Sequence, residues 1–192
     1  MQRNLVAIVF ESESMITGPT LQTERLLLRQ WRPSDVEPYG RMLADPATAR
    51  FIVPNNKPVP PEYAWDYAAV MAGHWAIHGI GMFVLEDRTT GDFLGRVGPW
   101  YPPGWYGMEV GWGIVQHARG KGIAFEAAVA ATRWTFEHAG VDEIIHCIDD
   151  ENEGSKKVAR RIGAEPGEAI TLFGHPAVKW VSTREGFAKL HG

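Results

Sequence analysis

One six-residue stretch combines two glycines with two cationic side chains, between an apolar segment and an alanine-rich segment. Its members are Arg119, Gly120, Lys121, Gly122, Ile123 and Ala124. The glycines let the backbone turn sharply and approach a ligand without side chains in between. The helix predicted to follow offers unpaired N–H groups and the positive end of its dipole. The stretch therefore predicts a phosphate site at a helix N-terminus.

Two common phosphate loops do not fit this stretch. A nucleotide P-loop requires Ser or Thr directly after its Gly-Lys pair, but Gly122 follows Lys121, so no hydroxyl is placed for magnesium. A dinucleotide fingerprint requires a third glycine three residues after the second, and that position is Phe125. A nucleotide-binding domain is therefore disfavoured. The remaining pattern is Arg-x-x-Gly-x-Ala between a strand and a helix.

Length and composition favour a single globular domain. The chain has 192 residues, is 45% hydrophobic and carries a net charge of −4, which argues against a nucleic-acid partner. Its one cysteine, Cys147, excludes an intrachain disulfide framework and fits a reducing compartment, so we expect a cytoplasmic protein. No apolar run approaches the length of a membrane span, so we expect no membrane partner.

The N-terminal segment is predicted to lie outside the domain. Residues 1–20 are expected to form an extension and residues 21–192 the single domain. Glu11 and Glu13 follow a short apolar run, which makes a poor signal peptide. Residues 1–14 are expected to be dispensable, with a packed extra strand as the alternative.

Periodicity and breakers predict the elements of the first half. Residues 23–29 are strand-like, and a helix follows that Asp45-Pro46 stops. Residues 48–61, rich in proline, are expected to be irregular. A second helix is predicted to end near His78. Its residues at helical spacing are Trp65, Ala68, Ala69, Ala72 and Trp75.

The second half predicts an antiparallel meander, a helix, and further strands and helices. The strand at residues 108–114 contains Gly111 and Gly113, which indicate a bulge or a closely approaching ligand backbone. Asn152 or Ser155 is predicted to begin a helix, and residues 169–181 to form a closing hairpin. The order of elements predicts an α/β (α+β) domain with a mixed, mostly antiparallel central sheet of about six to seven strands flanked by helices.

Five segments, in one order, carry a family resemblance. The pattern at residues 119–124 resembles the acetyl-CoA pyrophosphate loop of the GNAT acyltransferase superfamily. The resemblance, to the branch with ribosomal-protein N-terminal acetyltransferases, covers nearly the whole chain after residue 20. The segments are Thr23-Glu24-Arg25-Leu26-Leu27-Leu28-Arg29, Glu109-Val110-Gly111-Trp112, Gly120-Lys121-Gly122-Ile123-Ala124, Asn152-Glu153-Gly154-Ser155 and Ser182-Thr183-Arg184-Glu185-Gly186-Phe187. The last of these has one residue inserted relative to the family's terminal signature.

The resemblance implies acetyl transfer from acetyl-CoA to an amine by direct attack, with no metal. It places the pyrophosphate on residues 119–124 and the pantetheine arm along the strand edge of Val110, Gly111 and Trp112. Asn152 and Ser155 would contact the pantetheine, with Ser155 also protonating the departing thiolate. Both are equally good helix caps, and the tyrosine that serves as acid in many branches of the family is missing here.

Glu109 is the first candidate for general base. An attacking amine must be neutral, which costs a lysine-like amine roughly 4 kcal/mol at pH 7 and an α-amine about 1 kcal/mol. Glu109 precedes the segment expected to polarise the thioester carbonyl, although a solvent-facing strand carboxylate remains an alternative. His146 and His117 are weaker candidates.

Aromatic residues near Pro102 are expected to form the acceptor site or a dimer contact. The residues assigned to substrate binding are Trp100, Tyr101, Trp105 and Glu109. The acceptor is left open among a protein N-terminus, an amino acid, a polyamine and an aminoglycoside-like drug, and the protein is expected to be a monomer or homodimer. The alternative function is a catalytically silent acyl-CoA-binding or sensory module on the same fold.

Overall fold

The structure is a computed structural model that describes residues 18–192. The segment proposed to be dispensable, residues 1–14, lies outside the described residues. The division into an extension of residues 1–20 and a domain of residues 21–192 stays a prediction.

One mixed sheet runs through the described part of the chain. Its strands are β1 (Leu21–Gln22), β2 (Leu26–Arg29), β3 (Phe83–Asp87), β4 (Phe93–Trp100), β5 (Glu109–Ile114), β6 (Glu143–Asp149), β7 (Glu165–Leu172) and β8 (His175–Thr183). They are ordered β1-β2-β3-β4-β5-β6-β8-β7. All neighbours are antiparallel except β5 and β6. The predicted fold class is confirmed, with eight strands rather than six or seven.

Six α-helices flank the sheet in residues 18–192. They are α1 (Val36–Ala44), α2 (Pro46–Ile52), α3 (Ala64–His78), α4 (Ile123–His138), α5 (Glu153–Arg161) and α6 (Arg184–His191). Helix α4 packs on β4 and β5 and buries its small residues Ala127, Ala128 and Ala131 completely. Helices α1 and α2 approach β5 at Gly113, where a Cβ would lie 2.7 Å from Met42 Cε. A side chain at Gly113 would therefore require the end of the Met42 side chain to move.

Two predictions about the first half of the chain are wrong. Asp45-Pro46 stops α1 as predicted, but residues 48–61, which were expected to be irregular, begin inside α2. That helix starts here because Asp45 accepts a hydrogen bond from Ala47 N–H and proline suits the first helical position. In α3 the buried face contains Ala68, Met71 and Trp75, whereas Trp65 is 65% exposed. Aromatic spacing alone did not identify the buried face.

The glycines of β5 do not mark a bulge. Strand β5 pairs with β4 in continuous register from Trp100↔Glu109 to Gly95↔Ile114. The register shift in this part of the sheet lies between Leu85 and Glu86 of β3.

Strands β5 and β6 are paired at one point and then diverge. Glu109 and Ile145 are the single register pair between them, with Ile145 N–H donating to Met108 C=O at 2.8 Å. Beyond this pair His146 fills the fork. It is 1% exposed, and its Nδ1 lies 2.7 Å from the C=O of Val110 while its Nε2 lies 3.0 Å from Ser182 Oγ of β8.

Burial holds His146 neutral, lowering its pKa from 6.5 to about 4 despite the opposing hydrogen bond to Val110. In the neutral ring Nδ1–H donates to Val110 C=O, which has no proton to give, and Nε2 accepts from the Ser182 hydroxyl. His146 therefore joins three strands at the point where β5 and β6 separate.

Replacing His146 is expected to destabilise the fork. His146→Leu leaves two buried polar groups unsatisfied and should lower the free energy of unfolding by about 2 kcal/mol at pH 7.5. The buried neutral imidazole stabilises above pH 6.5, and this contribution is lost as the pH falls through 4. Urea unfolding should show that the difference in free energy of unfolding between wild type and variant becomes smaller as the pH falls from 6.5 to 4. A difference that does not change with pH would contradict the burial of a neutral imidazole. The control is His146→Asn, which keeps a donor for the C=O of Val110.

Candidate functional site

Two adjoining cavities lie against β5, and residues of β6 line the first whereas residues of α4 line the second. The first has a volume of about 420 Å³ and the second about 510 Å³. Residues that line both are Phe51, Ile52, Trp112, Asn152 and Ser155. We call the first the acceptor cavity and the second the phosphate-loop cavity. The shared walls make them two parts of one continuous cleft.

The phosphate-loop cavity ends at the N-terminus of α4. Gly120 and Gly122 have positive φ angles of 73° and 80°, a region that glycine adopts without strain. Helix α4 has no side-chain cap at its start. No described residue accepts a hydrogen bond from the N–H groups of Ile123, Ala124 and Phe125, whereas Glu126 N–H donates to Gly122 C=O. This helix end thus presents free donors toward a cavity.

The opening segment of the domain holds this loop in place. Thr23 Oγ donates to Glu126 Oε1 at 2.6 Å, and Arg25 Nε donates to Glu126 Oε2 at 2.6 Å. Arg25 Nη1 also donates to Lys121 C=O at 2.9 Å. Burial would raise the pKa of Glu126, but the hydrogen bonds from Thr23 and Arg25 outweigh it and the pKa is lowered. Glu126 is therefore an ionised anchor whose charge is balanced by Arg25.

Cationic side chains surround the phosphate-loop cavity unevenly. Arg119 lines it, and its guanidinium is fixed by Ile114 C=O at 3.0 Å, by Asp45 at 3.5 Å and by the Thr48 hydroxyl. Lys157 and Arg161 of α5 line the cavity from the other side; the sequence analysis missed both. Lys121 is exposed and is not among the lining residues.

The edge of β5 that faces the fork has free backbone groups at Trp112. Val115 N–H donates to Leu94 C=O of β4, and because backbone groups alternate along a strand, Gly111 N–H and C=O also face β4. Val110 and Trp112 face β6, and the C=O of Val110 is bound by His146. Of the three residues predicted to contact pantetheine, Trp112 is the one whose N–H points into the cleft.

Asn152 and Ser155 lie where the two cavities meet. Asn152 caps α5 by accepting from Ser155 N–H at 3.1 Å, so the capping role is confirmed for Asn152. The Ser155 hydroxyl accepts from Trp112 Nε1 at 3.2 Å. This leaves the O–H of Ser155 available to donate within the cleft.

Glu109 lies in the acceptor cavity, 8% exposed. Its Oε2 accepts from Trp105 Nε1 at 2.5 Å and its Oε1 from Cys147 N–H at 3.4 Å. Burial raises the pKa of Glu109 to about 7, against the opposing effect of these hydrogen bonds. The carboxyl is therefore poised to exchange a proton near neutral pH, and the solvent-facing alternative is excluded.

The other titratable candidates are less suited to catalysis. Burial raises the pKa of the Cys147 thiol, with further contribution from Glu109, so Cys147 is a poor nucleophile. Both ring nitrogens of His146 are engaged in hydrogen bonds. His117 is exposed and lines neither cavity.

Aromatic side chains form much of the acceptor cavity. Trp100 and Trp105 line it as predicted, but Tyr101 does not; its N–H donates to His74 Nε2 at 3.3 Å and its ring is exposed. Tyr67 of α3, which was expected to join the aromatic wall, also lines the cavity, whereas the lining residues Tyr39, Phe51, Arg96 and Phe173 were missed. Of these Arg96 carried a signal, because it is a charged residue inside an apolar strand.

Within residues 18–192 no three His, Cys, Asp or Glu side chains are grouped so as to hold a metal ion. None of the helices described there has the length and apolar character needed to cross a membrane.

Comparison with known proteins matches one family. Residues 25–165 match the family described as the acetyltransferase (GNAT) domain, which uses acetyl-CoA. YkkB from Bacillus subtilis strain 168, described as uncharacterized, is 31% identical over 101 residues. That match covers 52% of this chain and 59% of YkkB, which is less than two thirds of its length.

Solved structures share the whole fold. The acetyltransferase from Agrobacterium tumefaciens str. C58 superposes with a TM-score of 0.76 and 25% identity, over 96% of this chain and 100% of that one. RimJ from Mycobacterium smegmatis, solved in complex with CoA-disulfide, gives a TM-score of 0.68 and 18% identity over 83% and 82% of the two chains. At that identity the likeness to RimJ shows a common fold.

Glu109→Gln is expected to alter how stability depends on pH. Because the folded-state pKa is raised from 4.5 to about 7, the carboxyl's contribution is fully present below pH 4.5 and is lost as the pH rises through 7. The glutamine keeps an acceptor for Trp105 but does not ionise. Chemical unfolding should show that the free energy of unfolding of the variant rises relative to that of wild type between pH 4.5 and 8, by on the order of 3 kcal/mol. A constant difference would refute the assigned burial; Glu137→Gln, at an exposed site on α4, is the control.

Proposed function

We propose that this chain, which belongs to the GNAT acetyltransferase family, is an N-acetyltransferase that moves the acetyl group of acetyl-CoA to a primary amine. The family gives acetyl transfer; the amine acceptor and the roles of individual residues are the proposal. Acceptors in scope are a protein N-terminus, an amino acid, a polyamine or an aminoglycoside-like drug. The reducing compartment suggested by the single cysteine makes the cytoplasm the proposed location.

One observation carries the proposal: the cavity at the start of α4 adjoins an aromatic cavity that contains a carboxyl group. Trp112, Asn152 and Ser155 line both cavities. A thioester bound along the fork would reach from the start of α4 toward Glu109. A transfer reaction requires the two substrates to meet where the two cavities adjoin, whereas a protein that only binds acyl-CoA does not need the second cavity.

The phosphate-loop cavity suits the pyrophosphate of CoA. The free N–H groups of Ile123, Ala124 and Phe125 supply donors, and the glycines Gly120 and Gly122 allow close approach. Arg119, Lys157 and Arg161 supply positive charge around the cavity. The backbone of Lys121 shapes the loop, and its exposed side chain is assigned no direct contact.

Direct transfer assigns one task to each group at the junction. Glu109 takes a proton from the acceptor ammonium, and the neutral nitrogen attacks the carbonyl carbon to form the C–N bond. Trp112 N–H donates to the oxyanion of the tetrahedral intermediate. Ser155 donates a hydrogen bond to the thiolate as the C–S bond breaks. The nitrogen of the tetrahedral intermediate then gives its second proton to the thiolate through the Ser155 hydroxyl, and Glu109 returns the first proton to solvent. An ammonium and acetyl-CoA thus yield an acetamide, CoA and one proton.

The pKa shifts of Cys147 and Glu109 favour direct attack by the amine over a mechanism with an acyl-enzyme intermediate. The raised pKa of Cys147 disfavours a thiolate nucleophile. The pKa of Glu109, about 7, matches an α-amine, whose pKa is 7.7–8.0 in model compounds. A lysine-like amine would be harder for this base to deprotonate.

A thiol-release assay tests the proposal against the silent acyl-CoA-binding module. Acetyl-CoA is supplied with a peptide bearing a free N-terminus, free amino acids, a polyamine or an aminoglycoside. We expect amine-dependent thiol release with at least one class, and about 100-fold slower release at pH 7 by Glu109→Gln. CoA binding without release from any amine would favour the module.

Ser155→Ala is expected to slow chemistry without weakening cofactor binding. Loss of a hydrogen bond to the developing thiolate should reduce kcat about tenfold, with little change in the Kd for CoA because Asn152 still caps α5. Steady-state kinetics and calorimetry measure the two quantities. The matched control is Ser155→Thr, which keeps the hydroxyl. Unchanged kcat in the alanine variant with CoA fully bound would remove Ser155 from the chemistry.

A further inference from the structure

A buried arginine lies in the acceptor cavity. Arg96 of β4 is 8% exposed and lines that cavity. It is the one Lys or Arg among the described residues that line it. Its neighbours in sequence, Leu94, Gly95 and Val97, are buried too, so the strand carries the charge into the core.

The charge of Arg96 lacks a partner within the described part of the chain. Its Nε is buried with no hydrogen-bond partner, and it enters none of the ion pairs found there. Arg29, the other buried arginine, is 5% exposed and is paired with Asp35 at 2.8 Å and Glu86 at 2.6 Å. Burying a cation without a counter-ion is costly, so Arg96 requires an explanation that Arg29 does not.

The nearest groups do not neutralise Arg96. Burial raises the pKa of the Tyr39 phenol against the opposing charge of Arg96, so Tyr39 remains neutral. Arg96 lowers the pKa of Glu109 only as the least of several effects, and no salt bridge joins the two. Tyr39 is a hydrogen-bonding neighbour of Arg96 but supplies no negative charge. The guanidinium therefore has no counter-ion, and it lines a cavity able to receive an anion.

We propose that the acceptor is a small amino acid, whose amine faces Glu109 and whose carboxylate pairs with Arg96. This deepens the proposed function and rests on it. A guanidinium matches a carboxylate with two parallel hydrogen bonds. The acceptor classes that lack an anion, polyamines and aminoglycosides, leave Arg96 uncompensated.

Strand register sets the separation between the two recognition points. Arg96 lies opposite Gly113, two residues along β5 from Gly111, which is about 7 Å at the rise of a strand. Glu109 Oε1 lies 3.4 Å from the position that a Cβ on Gly111 would take, so Gly111 marks the place of the carboxyl group. One small molecule can span this distance.

The aromatic walls favour an apolar side chain on that amino acid, and the further carboxylates that line the cavity, Asp66 and Asp149, disfavour an acidic one. Tyr67, Trp100, Trp105 and Phe173 line the cavity together with Met71. A volume of about 420 Å³ falls in the range of small-molecule sites. L-Phenylalanine is therefore the chosen probe, and its carboxamide is the matched compound without the anion.

Turnover of this matched pair tests the inference. In thiol-release assays wild type should show kcat/KM at least about tenfold higher for L-phenylalanine than for L-phenylalaninamide. Arg96→Leu should abolish the preference and Arg96→Lys should retain part of it. Arg41→Leu, which removes an exposed arginine of α1, is the control and should keep the full preference. Equal turnover of acid and amide by wild type would overturn the inference while leaving N-acetyl transfer intact.

A binding measurement separates this inference from the proposed function. With CoA present, calorimetry should show N-acetyl-L-phenylalanine binding more tightly than its carboxamide, and Arg96→Leu should remove the difference. If no amine is turned over but this pattern holds, the transfer proposal fails and the anion site stands. If peptides with an N-terminal aspartate are acetylated and free amino acids are not, the anion comes from a protein and the small-molecule assignment is overturned.

Discussion

The site depends on how β5 and β6 run in parallel without forming a ladder. A parallel pair in a sheet is ordinarily hydrogen-bonded along its length, yet here the pairing is confined to Glu109 and Ile145. Past that point the sheet is open between two of its strands. In the gap the His146 side chain donates to the C=O of Val110. This backbone group therefore has a hydrogen-bond partner although β6 does not supply one from its backbone. The next N–H on that edge, at Trp112, is left for a ligand.

A second constraint fixes the donors at the start of α4. Helix N-termini are common, but this one opens into a cavity and lacks a side-chain cap. Thr23 and Arg25 hold Glu126 from outside the helix, and Arg25 also holds the C=O of Lys121. The acidic residue of the first turn is thereby occupied with the opening segment of the domain and does not compete for the free N–H groups. This gives a structural reason for the Thr-Glu-Arg motif, which lies about 100 residues away in sequence.

Local patterns predicted the parts of the fold that local physics determines. The sequence predicted the glycine turn around Lys121, the helix cap at Asn152 and the mostly antiparallel order of strands, because turns, caps and hairpins depend on neighbouring residues. The acceptor cavity was not, since its walls come from α2, α3, β4 and β6. Arg96 is visible in the sequence only as a charged residue inside an apolar strand, whereas its burial and its lack of a counter-ion are properties of the tertiary structure. Trp65 and Tyr101 failed for the same reason: an aromatic side chain can face the cavity or solvent, and only tertiary packing decides.

The most direct test of this account is a crystal structure of the protein with CoA. We expect the pyrophosphate within about 3 Å of the N–H groups of Ile123, Ala124 and Phe125, the pantetheine between β5 and β6 beside Trp112, and the sulfur at the Ser155 hydroxyl. CoA bound elsewhere, or a fork that closes into a continuous β5–β6 ladder, would contradict the account.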